Sequence, residues 1–587
     1  MLDFKKMRQD TLGARRNWNN FIHSDKGDAN KEPRVGIAGS FTVEPIVPYL
    51  GDELLKRGFS EPGIVVAPYN QVFQTCLDPF SAFGGDVDFI IILARIEDLF
   101  PSELIEYVNG ENEALARALE KIGELARAVN VSRSKVKESI ILSIPPYPDS
   151  LMTDLRNLRV SRLAATFHRR FTSEWVQVMG AIDGLYFFDF DSLERHFGAG
   201  QAHDTRKWYL YKQPYSEEFC YLIGQDLARI LSATKGVGKK CIVVDCDNTL
   251  WGGIVGEDGI EGIELGSDFP GNAYLDFQKQ LIELHRQGLL LAIVSKNNEA
   301  DVWEIFDNHD AMLLKREHLA AWRINWEPKP KNIEEIAIEL NLGLDSFVFV
   351  DDSDFEIDSV RQLLPEVTCI QVPEDISFLP EEFNSQYLFD RLTLTREDSS
   401  RTAMMREEKV RQSASQSMTQ EDFLASLGLT VEIFLVENNH LNRVTQLTNK
   451  TNQFNLTTIR HSKAEIEEMA NRSDCRIYAI RAKDRFGDYG LIGTTIVKIA
   501  DSCWEIENLL LSCRILGRGV ESALIAKIAE DAKKNGVEEI KAAFILTKKN
   551  KPAQSFLPDH GFRKEGEYQW YAAPDVLPKI PAHIKVK

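Results

Sequence analysis

One short segment, CIVVDCDNTLWGG at residues 241–253, constrains the fold of this chain more than any other. Its hydrophobic run ends at two carboxylates, Asp245 and Asp247. Side chains alternate along a strand, but the chain leaves the strand here, so both carboxylates can face one point at the carboxyl edge of a parallel sheet. One carboxylate can attack phosphorus, and the other can protonate the leaving oxygen and activate water, while Mg²⁺ neutralises charge. The segment therefore predicts a site for phosphoryl chemistry at the end of a strand.

Three later segments offer the remaining parts of such a site. LLLAIVSKNN predicts a strand that ends at Ser295, whose hydroxyl can hold a phosphate oxygen. NWEPKPKN contains Lys329, a cation that can screen the nucleophile and the phosphoryl group, with Lys331 as the nearby competitor. FVFVDDSDFEID predicts a strand that runs into Asp351 and Asp352.

In this order and at these spacings, the four segments resemble the haloacid-dehalogenase (HAD) phosphohydrolase superfamily. The resemblance implies an Mg²⁺ cofactor and a set of catalytic residues, which are Asp245, Asp247, Thr249, Ser295 and Lys329. The metal ligands that it implies are Asp245, Asp247 and Asp352, and Glu356 is a candidate for the outer shell of the metal.

The interval between Asp245 and Ser295 leaves room for a glycine-rich flap at residues 251–266 and one helix, but not for a cap domain. A site without a cap is open, whereas a small diffusing substrate usually needs a lid that excludes water. The spacing therefore favours a phosphate that is presented on a carrier.

Composition excludes several other classes of function. The net charge is −20 and no Lys/Arg-rich tract is present, so a nucleic-acid or anionic membrane surface is not expected. The eight cysteines form no CxxC pair, and the first residues resemble no signal peptide. No run approaches the length of a membrane span. A reduced, cytoplasmic protein is predicted.

The last third of the chain carries a second motif set. In IENLLLSCRILGRGVESALIAKIAEDAKKNG, a strand leads to Arg514, Gly517 and Gly519 in R-x-x-G-x-G spacing and then to a helix. Glycines let backbone N–H groups approach a pyrophosphate or phosphopantetheine phosphate at a helix N-terminus. With NKPAQSFLPDHGF downstream, the segment resembles the GNAT acyltransferases. The residues predicted to bind the cofactor are Arg514, Gly517, Arg518, Gly519 and Asn550.

Taken together, six motifs from about Gly238 to about Gly561 resemble the FkbH-like proteins, which join a HAD phosphatase of subfamily IIIC to a GNAT-like domain. The resemblance implies that D-1,3-bisphosphoglycerate, a small phosphorylated three-carbon substrate, loses its phosphates. Its glyceryl unit then passes to the phosphopantetheine thiol of an acyl carrier protein, in polyketide or related pathways. A thiol can displace the 1-phosphate of a mixed anhydride without a hydrolase, so the HAD site is assigned to the 3-phosphate ester.

A covalent acyl-enzyme would need a thiol near the strand along which pantetheine would extend. Cys513 directly precedes the glycine loop and is the candidate, while Cys246 is the rival and is expected to have a packing role. The polar run NKTNQFN at residues 449–455 is predicted to line an acyl pocket through Gln453 and Asn455; the alternative is a helix-capping loop.

The N-terminal region is the least informative. RVGIAGSFTVEPIVPYL predicts a strand, a turn at Ser40 and a helix, and two further strands indicate a parallel α/β layer. The segment loosely resembles the SGNH hydrolases, in which Ser40 would hold the position of the nucleophile. His203 and Asp204 run in the opposite order to the expected Asp-x-x-His element, so active hydrolysis and a domain that only recognises the carrier both stay open.

The predicted fold class is α/β in three domains: an SGNH-like domain at 1–236, a capless HAD-like domain at 237–395 and a GNAT-like domain at 396–587. The charged segment at 395–422 is predicted to be an exposed linker. Two other functions stay open: a phosphatase fused to an acyl-CoA-dependent N-acyltransferase in polysaccharide assembly, and a phosphoprotein phosphatase with a C-terminal binding module.

Overall fold

The computed structural model describes residues 4–23, 33–136, 138–148, 158–234, 239–385, 388–390, 411, 419–451, 453–500, 502–512, 515–547 and 550–587. The chain forms two compact units, Met1–Lys235 and Gly236–Lys587. Three separate sheets lie in these units, and helices cover the parallel ones, which confirms the predicted α/β fold. The division into three domains stays a prediction. None of the helices in the described part of the chain is both long enough and apolar enough to cross a membrane.

The first unit contains a sheet of five parallel strands in the order β2-β1-β3-β4-β5. The strands are β1 Arg34–Gly39, β2 Gly63–Val66, β3 Phe89–Leu93, β4 Ser139–Ser143 and β5 Leu185–Phe188. Every residue of β3 and β4 is buried, as in parallel strands that are covered on both faces. The helices that surround this sheet are Phe4–His23, Val47–Lys56, Val72–Leu77, Pro79–Phe83, Ile96–Leu99, Pro101–Val108, Glu113–Arg133, Leu158–Met179, Phe190–Phe197, Ala199–Ala202, Thr205–Tyr211 and Glu217–Thr234.

The second unit begins with another sheet of five parallel strands, in the order β10-β9-β6-β7-β8. These are β6 Cys241–Val244, β7 Leu290–Ser295, β8 Leu319–Ile324, β9 Phe347–Asp351 and β10 Thr368–Gln371. Alternate residues of β6 face the two cores of this sheet, with Ile242 and Val244 in one and Cys241 and Val243 in the other. The helices are Val255–Gly262, Gly271–Arg286, Glu299–Asn308, Lys329–Glu339, Asp354–Leu363 and Leu379–Ser385.

The third sheet is mixed and runs in the order β17-β18-β16-β15-β14-β13-β11-β19, with β12 paired to β15 outside this path. Its strands are β11 Thr430–Leu435, β12 Phe454–Asn455, β13 Cys475–Lys483, β14 Asp488–Lys498, β15 Cys503–Leu511, β16 Glu539–Ala543, β17 Arg563–Lys564, β18 Gln569–Ala572 and β19 Lys585–Val586. The helices are Gln420–Ser426, Leu441–Lys450, Lys463–Asn471, Val520–Lys534 and Phe556–Asp559.

The segment around β12 lies where β15 and its parallel neighbour β16 diverge. The β15–β16 pairing ends at Ile506 and Ala542. Beyond that point the amide of Leu456 donates to the Leu509 carbonyl at 3.1 Å, and the amide of Ile545 donates to the Leu456 carbonyl at 2.9 Å. The other edge of β15 is already paired with β14. The chain itself therefore fills the gap between the two strands.

Most of the predicted linker at 395–422 lies outside the described residues. Arg411 is described, and its surroundings differ from the expected exposed segment. Its side chain is 2% exposed, and its guanidinium donates to both carboxylate oxygens of Asp484, at 2.8 and 3.0 Å. The ring of Tyr489 lies 4.3 Å from the guanidinium carbon. A charged residue can be buried in this way because its partner carboxylate and the aromatic face replace water.

Candidate active site

Three neighbouring strands of the first sheet of the second unit end at the candidate active site. β6 is the central strand and lies between β9 and β7. Asp245 follows β6 directly, Ser295 is the last residue of β7, and Asp351 is the last residue of β9. All three side chains are buried. Because parallel strands end at the same edge, residues far apart in the sequence meet there.

Asp247 is held by hydrogen bonds from three sides. The indole N–H of Trp251 donates to its Oδ1 at 3.0 Å, and the Val255 amide donates to the same atom at 3.2 Å. Asn297 donates to its Oδ2 at 2.9 Å and also to the Ser295 hydroxyl at 3.0 Å. Burial raises the pKa of the Asp247 carboxyl, and these donors act in the opposite direction. This environment suits a group that holds and releases a proton.

Lys329 is the cation of the site. It begins the helix Lys329–Glu339, and its Nζ lies 3.1 Å from Asp245 Oδ1 and 2.6 Å from Asp351 Oδ2. Burial by itself would lower the pKa of Lys329, but Asp245 and Asp351 raise it above its ordinary value, so the side chain stays charged. The competitor Lys331 is exposed and pairs with Glu327 instead.

A cation site lies beside this lysine. Within the described ranges, the carboxylates close enough to share one ion are those of Asp245, Asp351 and Asp352, with ligand atoms within 4.8 Å of one another. Burial, and then the charge of Asp245, raises the pKa values of Asp351 and Asp352. The polar contact of the buried Asp245 Oδ1 is the Lys329 ammonium, 3.1 Å away. Three carboxylates this close together, with only one lysine beside them, fit a hard divalent cation such as Mg²⁺.

The cluster differs from the ligand set predicted from the sequence. Asp245 and Asp352 belong to it, but the Asp247 carboxylate does not, because its oxygens face Trp251, Val255 and Asn297. Asp351 is the third carboxylate of the cluster, and metal binding by Asp247 stays a prediction. The candidate for the outer shell, Glu356, accepts a hydrogen bond from Lys296 at 2.6 Å.

The remaining predicted residues of this site lie around the turn after β6. Thr249 is fully buried, and its hydroxyl has no hydrogen-bond partner. Cys246 is also fully buried, and burial raises the pKa of its thiol, as in a packing residue. The interval from Asp245 to Ser295 is fully described and contains two helices, Val255–Gly262 and Gly271–Arg286, with no cap domain.

The glycine loop of the third sheet has the expected backbone. Gly517 and Gly519 adopt left-handed conformations, with φ of 75° and 80°, which glycine tolerates best. Helix Val520–Lys534 starts directly after Gly519. The Arg518 side chain is buried and donates to the Tyr489 hydroxyl, and its part in cofactor binding stays a prediction. Cys513 and Arg514 lie outside the described residues.

The side chains of Asn550 and Asn455 form hydrogen bonds with nearby backbone groups. The Asn550 amide donates to the carbonyls of Asn455 and Ile545, both at 2.9 Å, and its oxygen accepts from the Thr547 amide at 2.7 Å. Asn455 donates to the Thr451 carbonyl and accepts from the Thr458 amide. Both side chains are buried, and their hydrogen bonds to backbone groups hold β12 in place. Gln453 is exposed.

Ser40 in the first unit connects two strands. Its hydroxyl donates to Asp98 Oδ2 at 3.1 Å and accepts from the Arg95 amide at 3.0 Å, while its own amide donates to the Leu93 carbonyl. The side chain is fully buried, and no histidine among the described residues contacts it. His203 pairs with Glu194 at 2.9 Å. This arrangement is that of a structural serine.

Comparisons with known proteins find matches to the acyltransferase-like part and to the phosphatase-like part of the chain. Residues 441–562 match the acetyltransferase (GNAT) family. The N-terminal part of a Bacteroides fragilis protein, which contains a phosphatase domain and was solved in complex with Mg, is 25% identical, with a TM-score of 0.57, and the match covers 65% of this chain and 99% of that one. No curated protein matches the chain significantly.

Two smaller structures also resemble the chain. The PaiA N-acetyltransferase of Thermoplasma acidophilum with coenzyme A is 16% identical, with a TM-score of 0.20, over 24% of this chain and 98% of that one. The spermidine N-acetyltransferase of Vibrio cholerae with coenzyme A and spermine is 16% identical, with a TM-score of 0.20, over 25% and 96%. From the family match and the Bacteroides fragilis structure, the chain joins a phosphatase-like part to a GNAT domain and is an enzyme.

Proposed function

We propose that this protein is a Mg²⁺-dependent phosphatase and acyltransferase that loads a glyceryl unit from D-1,3-bisphosphoglycerate onto the phosphopantetheine thiol of an acyl carrier protein. The observation that carries the phosphatase half is the contact of Lys329 with both Asp245 and Asp351 at the edge of an uncapped sheet. The solved Bacteroides fragilis phosphatase domain, which was complexed with Mg, supports the choice of cation.

The side chains of the site divide the chemistry between them. Asp245 attacks the phosphorus of the 3-phosphate ester, and the P–O bond to the glyceryl oxygen breaks. Asp247, oriented by Asn297 and Trp251, gives its proton to that oxygen and then takes one from the water that hydrolyses the aspartyl-phosphate. The Ser295 hydroxyl and the Lys329 ammonium hold phosphoryl oxygens. A cation at Asp245, Asp351 and Asp352 would lower the charge repulsion between nucleophile and phosphate.

Acyl transfer needs no phosphatase. The carrier thiolate attacks the C1 carbonyl of the mixed anhydride, a thioester forms, and inorganic phosphate leaves. Hydrolysis of the same anhydride would remove the activation that the thioester needs, which favours the ester as the phosphatase substrate. If the acyl group passes through the enzyme, Cys513 is the proposed thiol. We also propose a cytoplasmic location and a role in polyketide or related biosynthesis.

Intact-protein mass spectrometry of candidate phosphopantetheinylated carriers, incubated with the enzyme, Mg²⁺ and enzymatically generated 1,3-bisphosphoglycerate, tests this function. A gain of one glyceryl unit on the carrier supports it, and a phosphoglyceryl gain places acyl transfer before dephosphorylation. No gain on any carrier, with phosphate still released from small esters, would contradict it. The GNAT family match then favours the second function, a phosphatase fused to an acyl-CoA-dependent N-acyltransferase.

A further inference from the structure

The buried carboxylate of Asp484 lies in the turn between β13 and β14. Its Oδ1 accepts hydrogen bonds from the backbone amides of Phe486 and Gly487, at 2.8 and 3.0 Å. Its Oδ2 accepts one from the Tyr489 hydroxyl at 2.7 Å. The guanidinium of Arg411 donates to both oxygens. This single carboxylate therefore holds the turn, the tyrosine and the arginine together.

The Tyr489 hydroxyl connects this carboxylate to the glycine loop of the GNAT domain. Arg518, which lies between the two left-handed glycines of that loop, donates from its side chain to the Tyr489 hydroxyl oxygen. An arginine can only donate hydrogen bonds and an ionised carboxylate can only accept them. Tyr489 therefore gives its own proton to Asp484 and accepts from Arg518. The four side chains of Arg411, Asp484, Tyr489 and Arg518 form one network, and all of them are buried.

Two further kinds of contact support the same network. The ring of Tyr489 lies 4.3 Å from the guanidinium carbon of Arg411 and 5.3 Å from that of Arg518. Such cation–π contacts are strongest where water is excluded, as it is here. The backbone of the loop is held as well, since Nε2 of His583 lies 2.9 Å from the Arg518 carbonyl oxygen. Both the side chain and the backbone of Arg518 are therefore fixed by residues outside the loop.

We infer that Arg411 and Asp484 are positioning residues for the glycine loop: through Tyr489 they fix Arg518, and with it the backbone on which phosphate binding by this loop depends. Left-handed glycines directly before a helix bring N–H groups to the phosphate of a pantetheine ligand. Arg411 precedes residues 441–562, which match the GNAT family, so this domain depends on a residue upstream of the match. The part of the loop in carrier loading rests on the proposed function, whereas the coupling of Arg411 to the loop does not.

Hydrogen exchange of the full-length protein, read by mass spectrometry of the peptide that covers the glycine loop, tests this coupling in a double-mutant cycle. Tyr489→Phe removes the hydroxyl, and Arg411→Lys keeps the charge but loses the paired contact with Asp484. Each single variant should speed exchange of the loop amides about tenfold, the effect of weakening one hydrogen bond to a charged group. Arg411→Lys should add little to Tyr489→Phe, because the connection to the loop is already cut.

Peptides of β16 should exchange as in wild type, which separates opening of the loop from unfolding of the domain. Arg485→Met is the matched control, because Arg485 follows Asp484 but is exposed and lies over the ring of Phe486. It should leave exchange of the loop unchanged.

Exchange of the loop as in wild type in Tyr489→Phe would by itself overturn the inference, and so would additive effects of the two substitutions. With a carrier that the enzyme loads, Tyr489→Phe should raise the KM for the carrier about tenfold with little change in kcat, because a ligand site is misplaced and no reacting group is lost. An unchanged KM would overturn the positioning role. If no carrier is loaded, the proposed function fails, while the exchange result still decides whether Arg411 is coupled to the loop.

Discussion

The side-chain amide of Asn297 donates to Asp247 Oδ2 at 2.9 Å, and it reaches the hydroxyl of Ser295 at 3.0 Å with the same nitrogen. One side chain thus connects the proposed proton donor to the proposed phosphate-binding hydroxyl. Asn297 comes two residues after the end of β7, where the chain turns across the edge of the sheet. We assign it a positioning role in which it fixes the direction of the Asp247 carboxyl.

Asn297→Ala should lower kcat about 10- to 100-fold with a smaller effect on KM, because the proton donor is misplaced whereas the Ser295 hydroxyl loses only one donor. The loss should be smaller for aryl phosphates with acidic phenols, whose leaving oxygen needs little protonation. Steady-state kinetics with a series of aryl phosphates measures this. The neighbouring Asn298→Ala is the control, since Asn298 is exposed and bonds Asp301. A loss that is independent of the leaving group would contradict the positioning role.

Lys329→Met should reduce phosphate release by roughly 10²- to 10³-fold, the cost of removing one preorganised charge from such a site. The change also leaves Asp245 and Asp351 without the cation between them, so the variant should unfold at a lower temperature. Lys331→Met is the matched control, because that lysine is exposed and pairs only with Glu327 among the ion pairs described. Similar activity losses in both variants would show that Lys329 has no special part.

Ser40→Ala should leave phosphate release and carrier loading unchanged, because Ser40 connects β1 to the segment after β3 and faces no histidine in the described structure. It should destabilise the first unit by about 1–3 kcal/mol, since the buried Arg95 amide loses its acceptor. Ser60→Ala, at an exposed position, serves as the control. A large loss of loading with unchanged stability would instead restore a catalytic role for Ser40.

The stability of the first unit should depend on the protonation of Asp98. Burial raises the pKa of this carboxyl to about 6, above the value of about 3.9 for an unfolded chain. The folded form binds the proton more tightly, so the stabilisation from this group is complete below about pH 4 and is lost as the pH rises through about 6. Asp98→Asn should remove this part of the pH dependence.

Hydrogen exchange of β1 peptides in urea, compared at pH 4.5 and pH 7.5 for wild type and Asp98→Asn, measures the effect on the first unit. Asp86→Asn is the control, because Asp86 is exposed. The free energy of unfolding of wild type, relative to that of Asp98→Asn, should be larger at pH 4.5 than at pH 7.5. If the stability difference between wild type and Asp98→Asn is the same at both pH values, Asp98 has the same pKa in the folded and unfolded chain, which would contradict this prediction.

Much of the phosphatase-like site can be predicted from the sequence, because hydrophobic runs that end in polar residues identify strand ends. Parallel strands bring those ends together, so Asp245, Ser295 and Asp351 meet as the pattern implies. The direction of a side chain after the strand is not encoded in this pattern. The pattern therefore does not distinguish Asp351 from Asp247 as a carboxylate of the cluster, and Asn297, within a polar run, gives no signal of its own.

In the C-terminal part of the chain, the sequence pattern predicts even less about where side chains point and which backbone groups pair. The spacing of Gly517 and Gly519 predicts a glycine loop before a helix, and in the structure both glycines adopt left-handed conformations directly before helix Val520–Lys534. Spacing contains no information on which anion the loop holds. Phe454 and Asn455, at the end of the polar run that is predicted to line an acyl pocket, pair with β15 through backbone atoms, which no side-chain pattern reveals.

The central claim is that Asp245 is the nucleophile and Asp247 the proton-transfer group, and the direct measurement is the detection of a phosphoenzyme. Asp247→Asn is mixed with Mg²⁺ and an aryl phosphate whose phenol needs no protonation, quenched in acid within milliseconds, and mapped by peptide mass spectrometry. We predict one phosphoryl group on the peptide that contains Asp245, and none when Asp245→Asn is added. A phosphoryl group on another residue, or a burst of phenol with no phosphopeptide, would contradict the account.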